Sequence, residues 1–140
     1  MHVKLTNGTP VKYTLGEFRR DNPQTSFPKV IPENLLKEAN IYSYTRPTPP
    51  EYDPVVYRLV DGDFEQVGGK WVLNYTLEQL PLEQAERNVR SKRNGLLQET
   101  DWMALSDNTM SPEQAIYRKD LRDITTQEGF PYSVAWPVKP

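Results

Sequence analysis

Trp71-Val72-Leu73-Asn74-Tyr75-Thr76-Leu77-Glu78-Gln79-Leu80-Pro81-Leu82-Glu83-Gln84-Ala85 is the stretch in which the chain changes period. Up to Tyr75 the apolar residues alternate, so Trp71, Leu73 and Tyr75 share one face at period two, as a half-buried strand requires. Beyond Pro81, Leu82, Ala85, Val89 and Leu96 fall on one stripe at helical spacing, with Lys92 interrupting it. Thr76-Leu77-Glu78-Gln79 has the spacing of a capping box, and proline is tolerated only in a first turn, so the helix is expected to start between Thr76 and Pro81. The fold class expected is α+β: a small N-terminal antiparallel β-rich module, followed by a long helix and a C-terminal helical hairpin with an extended Pro/aromatic tail. The expected division is residues 1–76, including a Pro-rich bridge at 44–54, and residues 77–140.

Upstream of the switch, Val3 and Leu5 alternate with polar neighbours, as do Val11, Tyr13 and Leu15. Asn7-Gly8 lies between the two runs and supplies the positive φ angles of a tight turn, which predicts a hairpin. Leu15 to Arg20 suits one helical turn, stopped by Asp21-Asn22-Pro23. Pro32 to Ala39 reads as a short helix with proline in its first turn and Leu35-Leu36 for burial. Tyr44 to Pro54 holds four prolines and two tyrosines and is expected to be extended. Val55 to Tyr75 reads as a meander of three strands, with turns at Asp61-Gly62 and Gly68-Gly69.

Downstream, Arg87, Arg90, Lys92 and Arg93 crowd the middle of the long helix, and Gly95 weakens it. Asp101 is expected to cap a short turn through Leu105. Ser111-Pro112-Glu113-Gln114 is a second helix start, with a serine cap, proline at the first position and glutamine three after the cap. Tyr117, Leu121 and Ile124 recur at i, i+4 and i+7, while Arg118 and Arg122 occupy another face. Gly129 ends this helix or its following turn. Phe130, Tyr132 and Trp136 read either as a stiff segment that docks on a partner or as aromatics folded back over the two helices, and both hold if the packed tail presents an outer face.

Composition excludes most chemistry. Among 140 residues there is no cysteine, so disulfides, thiol catalysis and thiolate metal sites are ruled out. The sole histidine, His2, adjoins the first methionine, where a frayed or strand-edge position is expected rather than a catalytic one. Asp61-Gly62-Asp63-Phe64-Glu65 lacks the spacing of a calcium loop. Gly68-Gly69 has neither the lysine-serine continuation nor the helix of a phosphate loop. Seventeen basic and nineteen acidic residues leave a net charge of −2, which gives no reason to expect a nucleic acid. The basic cluster is balanced by Glu83 and Glu86 at helical spacing, and no apolar run is long enough for a membrane span. The chain also shows no apolar leader and is expected to be made in a cytoplasm. It is read as a non-enzymatic protein with no catalytic, metal or cofactor residues, and with neither nucleic acid nor membrane as partner.

The C-terminal words have a likeness elsewhere. An arginine-rich helix with Arg90 and Arg93 leads to Leu96 and Leu97, then to Thr100, Asp101 and Trp102. A second helix carries Tyr117, Arg118, Leu121, Arg122 and Asp123, and the ending carries Gly129, Phe130, Pro131, Trp136 and Pro137. Over about residues 82–140 this resembles the phage tail (tail-fibre) assembly chaperone family. The resemblance implies a role in folding and assembling tail fibres or tail components, with a tail fibre or baseplate protein as partner and, in a fibre context, a homotrimer. It implies the host cytoplasm during assembly, or the virion tail if the chain is retained. Two alternatives stand beside it: a purely structural fibre- or baseplate-associated component of the virion, and a small host-takeover binding protein. Physically, the two helices are expected to pair, Val89 and Leu96 facing Tyr117, Leu121 and Ile124. Asp101 is expected to pair with Arg118 or Arg122, and Trp102 to plug the open end, so that Trp102→Ala would cost about 3–5 kcal/mol.

Overall fold

Asn7 and Gly8, with φ of 52° and 81°, turn the chain between β1 (His2–Thr6) and β2 (Thr9–Tyr13), as the sequence predicts. A computed structural model describes residues 1–140 and divides into two compact units, one of residues 1–50 with 60–76 and one of residues 51–59 with 77–140.

In the first unit, β1 pairs antiparallel with β2, Val3 opposite Lys12 and Leu5 opposite Pro10. Helix α1 (Leu15–Asp21) begins at a capping box in which Thr14 and Glu17 satisfy one another's backbone N–H groups. Helix α2 (Glu33–Glu38) follows Pro32 and buries Leu36 but leaves Leu35 exposed. Phe18, Ile31, Leu36 and Ile41 form one apolar cluster. The Tyr13 hydroxyl donates to Asp21, and partial burial together with that bond pushes its pKa up to about 12.

Strand β3 (Ile41–Thr45) was not foreseen over residues 41–43. It pairs antiparallel with β1 and parallel with β5 (Lys70–Gln79), Tyr44 opposite Trp71, so the sheet is mixed; with β4 (Tyr57–Val67) the order is β2-β1-β3-β5-β4. The expected three-strand meander is corrected to two strands. Residues Tyr57–Val67 make one eleven-residue strand, β4, that runs straight through Asp61-Gly62. Gly62 is there for a close approach: a Cβ would lie 2.8 Å from Thr76 Oγ1 and 3.2 Å from the Tyr75 carbonyl carbon. Gly68 and Gly69, both at positive φ, make the real turn. Cross-strand bonds from Asn74 to Glu65 (3.0 Å) and from Arg58 to Glu78 (2.9 Å) show that β4 and β5 run antiparallel. The capping motif at Thr76 is also corrected, because Thr76 to Gln79 continue β5 and the ladder takes the backbone groups a cap would have used. Val3, Tyr44 and Leu73 are buried together, with Phe64 set edge-on between Tyr44 and Trp71.

In the second unit, α3 (Leu82–Glu99) follows Pro81 with no side-chain cap. Its buried stripe is Ala85 and Val89, whereas Leu82, expected on it, is 55% exposed. Helix α4 (Pro112–Arg122) begins at the Ser111–Gln114 capping box, and Tyr117, Leu121 and Ile124 are all buried. Val56, Leu80, Ala85, Val89 and Ile124 form the core, and Phe130, Tyr132, Val134 and Trp136 close over it. The tail begins with a tight turn, Ser133 N–H donating to the Gly129 carbonyl at 2.7 Å. It is then fastened by Tyr132 Oη donating to the Leu80 carbonyl at 2.6 Å. The Gln127 amide accepts from Ala135 N–H at 2.7 Å and donates to Ala135 O at 2.9 Å.

Candidate docking surface

The end of α3 is built around a buried threonine. Thr100 is fully buried, and its hydroxyl shares its proton between the carbonyls of Leu96 (3.2 Å) and Leu97 (3.1 Å). Arg118, reaching across from α4, donates to Leu97 O at 2.9 Å, to Thr100 Oγ1 at 2.8 Å and to Asp101 Oδ1 at 3.0 Å. The guanidinium thus adds a charged donor to one carbonyl of the helix end, that of Leu97, with its charge balanced by Asp101. Of the two expected partners for Asp101, the structure selects Arg118, while Arg122 stays exposed and outside the node.

Trp102 does not plug the hairpin. It is 53% exposed, and the buried place is taken by Met103 at 3%. The cause is local: α3 stops at Thr100 and residues Asp101–Ala104 form a 3-10 turn. At three residues per turn, tying Asp101 to Arg118 sends residues 102 and 103 in directions about 120° apart. Met103 goes inward, its N–H donating to Thr100 O at 3.0 Å, and Trp102 goes outward. Leu105, the extended residue that ends the turn, is 56% exposed. Asn108 Nδ2 donates to Met103 O at 2.8 Å and holds the following loop. The result is an exposed apolar shelf on a turn pinned from two sides.

The remaining sequence-predicted residues lie apart from this shelf. Leu96 and Leu97 are half-buried, and Arg93 donates to the neighbouring Asn94 at 3.0 Å. Asp123 pairs with Lys119 at 3.1 Å. Pro131 is buried, Phe130 and Trp136 pack on the core, and Pro137 is half-buried beside Trp136. Lys92, the break in the helical stripe, places its ammonium 4.3 Å from the Trp136 ring centre, and Arg90 sits 5.4 Å from that of Phe130. Sequence reading missed Met103, Leu105 and Asn108. The sequence carried no local signal for them, since the i, i+3 spacing of Trp102 and Leu105 fits an α-helix as well as a tighter turn.

No group of three His, Cys, Asp or Glu side chains is arranged to hold a metal ion. His2 lies in β1, where partial burial and then the N-terminal charge lower its pKa. No helix is long and apolar enough to cross a membrane.

The family described as phage tail assembly chaperone protein matches residues 86–140, a segment that starts within α3 and contains the Arg118 node, the shelf and the tail. No curated protein and no solved structure matches the chain. Over this segment the chain is similar to phage tail assembly chaperones.

Proposed function

We propose that this chain assists assembly of a bacteriophage tail without catalysis, by binding a tail fibre or baseplate component through the Trp102–Leu105 shelf. The observation that carries the reading is the outward Trp102, within the segment matched to tail assembly chaperones and standing on a turn already fixed by Arg118. A large aromatic on a preorganised turn loses little entropy on docking, and tryptophan is among the residues that contribute most at interfaces.

Trp102→Ala tests it. The melting temperature should change little, since an exposed ring contributes within about 0.5 kcal/mol. Co-purification with the tail fibre or baseplate protein encoded alongside should fall at least about tenfold in affinity, equal to about 1.4 kcal/mol. Undiminished binding by a folded variant would remove the reading.

A second form of the same role, retention in the particle, is favoured by the run Arg46–Asp53, which has neither helix nor strand and exposes nearly every residue to partners. Mass spectrometry of purified virions separates the two forms. Stoichiometric peptides of this chain mark a component, and their absence marks a chaperone that leaves.

A further inference from the structure

Within residues 1–50 and 60–76 the sheet has two free edges, β2 and β4, and they are built differently. β2 has five residues and carries Pro10, which offers no N–H; both features blunt an edge. β4 is eleven residues long and contains no proline, so its outer side keeps its full set of backbone donors and acceptors. The sheet curls until these edges face one another. Lys12 of β2 forms an ion pair with Asp61 of β4, and a groove of about 630 Å3 runs between Thr9–Lys12 and Asp61–Phe64 with the buried Leu73 in its floor.

Charge selects the occupant. Asp61, Asp63 and Glu65 stand on one face of β4 at period two and all are exposed. Asp61 is paired with Lys12 and with Arg46 at 2.7 Å, Glu65 holds only the Asn74 amide, and Asp63 makes no ion pair. We propose that this edge of β4 is a binding site for an extended segment of a partner protein with basic side chains at alternate positions, added as a sixth strand. Backbone bonds to the edge supply the affinity, and the acidic face reads every second side chain of the incomer. Lys12 is the resident placeholder on Asp61, displaced when the partner's cation arrives. A second copy of this chain is the wrong occupant, because β4 against β4 would set acidic residues opposite acidic residues.

The test uses the full chain and a labelled peptide of about ten residues alternating lysine and valine, long enough for one strand. One control peptide keeps the lysines but replaces the valines by glycine and proline; another replaces the lysines by glutamate. Fluorescence anisotropy should show the lysine–valine peptide binding at least about tenfold tighter than either control. Amide hydrogen exchange should slow in residues 60–67. Asp63→Lys/Glu65→Lys, both at exposed positions, should lose at least about tenfold in affinity, and Lys12→Ala should gain. Trp102→Ala should bind the peptide normally, so failure of the shelf and failure of this edge are told apart. Equal binding by the glycine–proline peptide, protection elsewhere in the chain, or an undisturbed double variant would each overturn the proposal.

Discussion

The helical unit gathers Val56, Leu80, Ala85, Val89 and Ile124 into one cluster and closes it with four side chains of its own tail, whereas the sheet unit holds two smaller clusters of four and three buried residues. The helical unit also invests an arginine in its polar interior, while the sheet unit keeps its charges on the surface and leaves a long edge open. The contrast shows two ways for a chain of modest apolar content to stay folded. One finishes its surface with its own residues. The other spreads its core along strands and keeps backbone groups available to others.

Four measurements break or sharpen this contrast. Leu121→Ala empties a fully buried site in α4 and should cost about 2–5 kcal/mol in urea unfolding. A cost under about 1 kcal/mol, the level of an ordinary surface change, would mean that the helical unit does not depend on its core. Arg118→Ala removes three charge-assisted bonds, to the Leu97 carbonyl, the buried Thr100 hydroxyl and Asp101, and should cost about 1–3 kcal/mol. Arg118→Lys should recover only part of that, because one ammonium cannot reach three acceptors in fork geometry.

Glycines give the third comparison. At Gly129 a Cβ would lie 2.0 Å from Ser133 O, so Gly129→Ala should lower stability by about 1–3 kcal/mol. At Gly95 a Cβ would meet nothing within 4 Å, so Gly95→Ala in α3 should raise stability by about 0.5–1 kcal/mol. Thermal melts of the two variants should move in opposite directions.

The smallest effect belongs to the sheet unit. Tyr13 has its pKa raised from 10.0 to about 12, so the folded state favours the neutral phenol. Its contribution to stability is complete below pH 10.0 and is lost as pH rises through about 12. Near-ultraviolet titration of the protein against Tyr13→Phe should show this late phenol, and Asp21→Asn should bring it back towards the ordinary value. A Tyr13 that ionises normally would mean that the Asp21 bond does not form in solution.

How much was legible from sequence follows the range of the interactions. Asn7-Gly8, the Ser111 capping box and the Tyr117–Leu121–Ile124 stripe are decided within a few residues, and each stands where the sequence placed it. β3 was missed because its pairing with Trp71 and Val72 lies far along the chain and the prolines after it read as a linker. Gly62 was mistaken for a turn residue because glycine serves close approach and reversal alike, and only Thr76 across the hairpin distinguishes them. Trp102 was placed inside because size argues for burial. Its true direction depends on Arg118, sixteen residues on, holding Asp101 still. The Asp101 pair was readable only as far as Arg118 or Arg122, since both lie on one helix face within reach, and the fold selects Arg118.

The Gln127 side chain donates to and accepts from the backbone of Ala135, acting as a one-residue strand. Anyone trimming this molecule to a minimal version therefore has little freedom at its C-terminal end. A chain cut before Gly129 would lose the lid formed by Phe130, Tyr132, Val134 and Trp136 and bare Val89 and Ile124 to water, inviting aggregation. The shortest serviceable fragment has to extend past Ala135, and glutamate at position 127 would undo it by replacing a donor with a second acceptor.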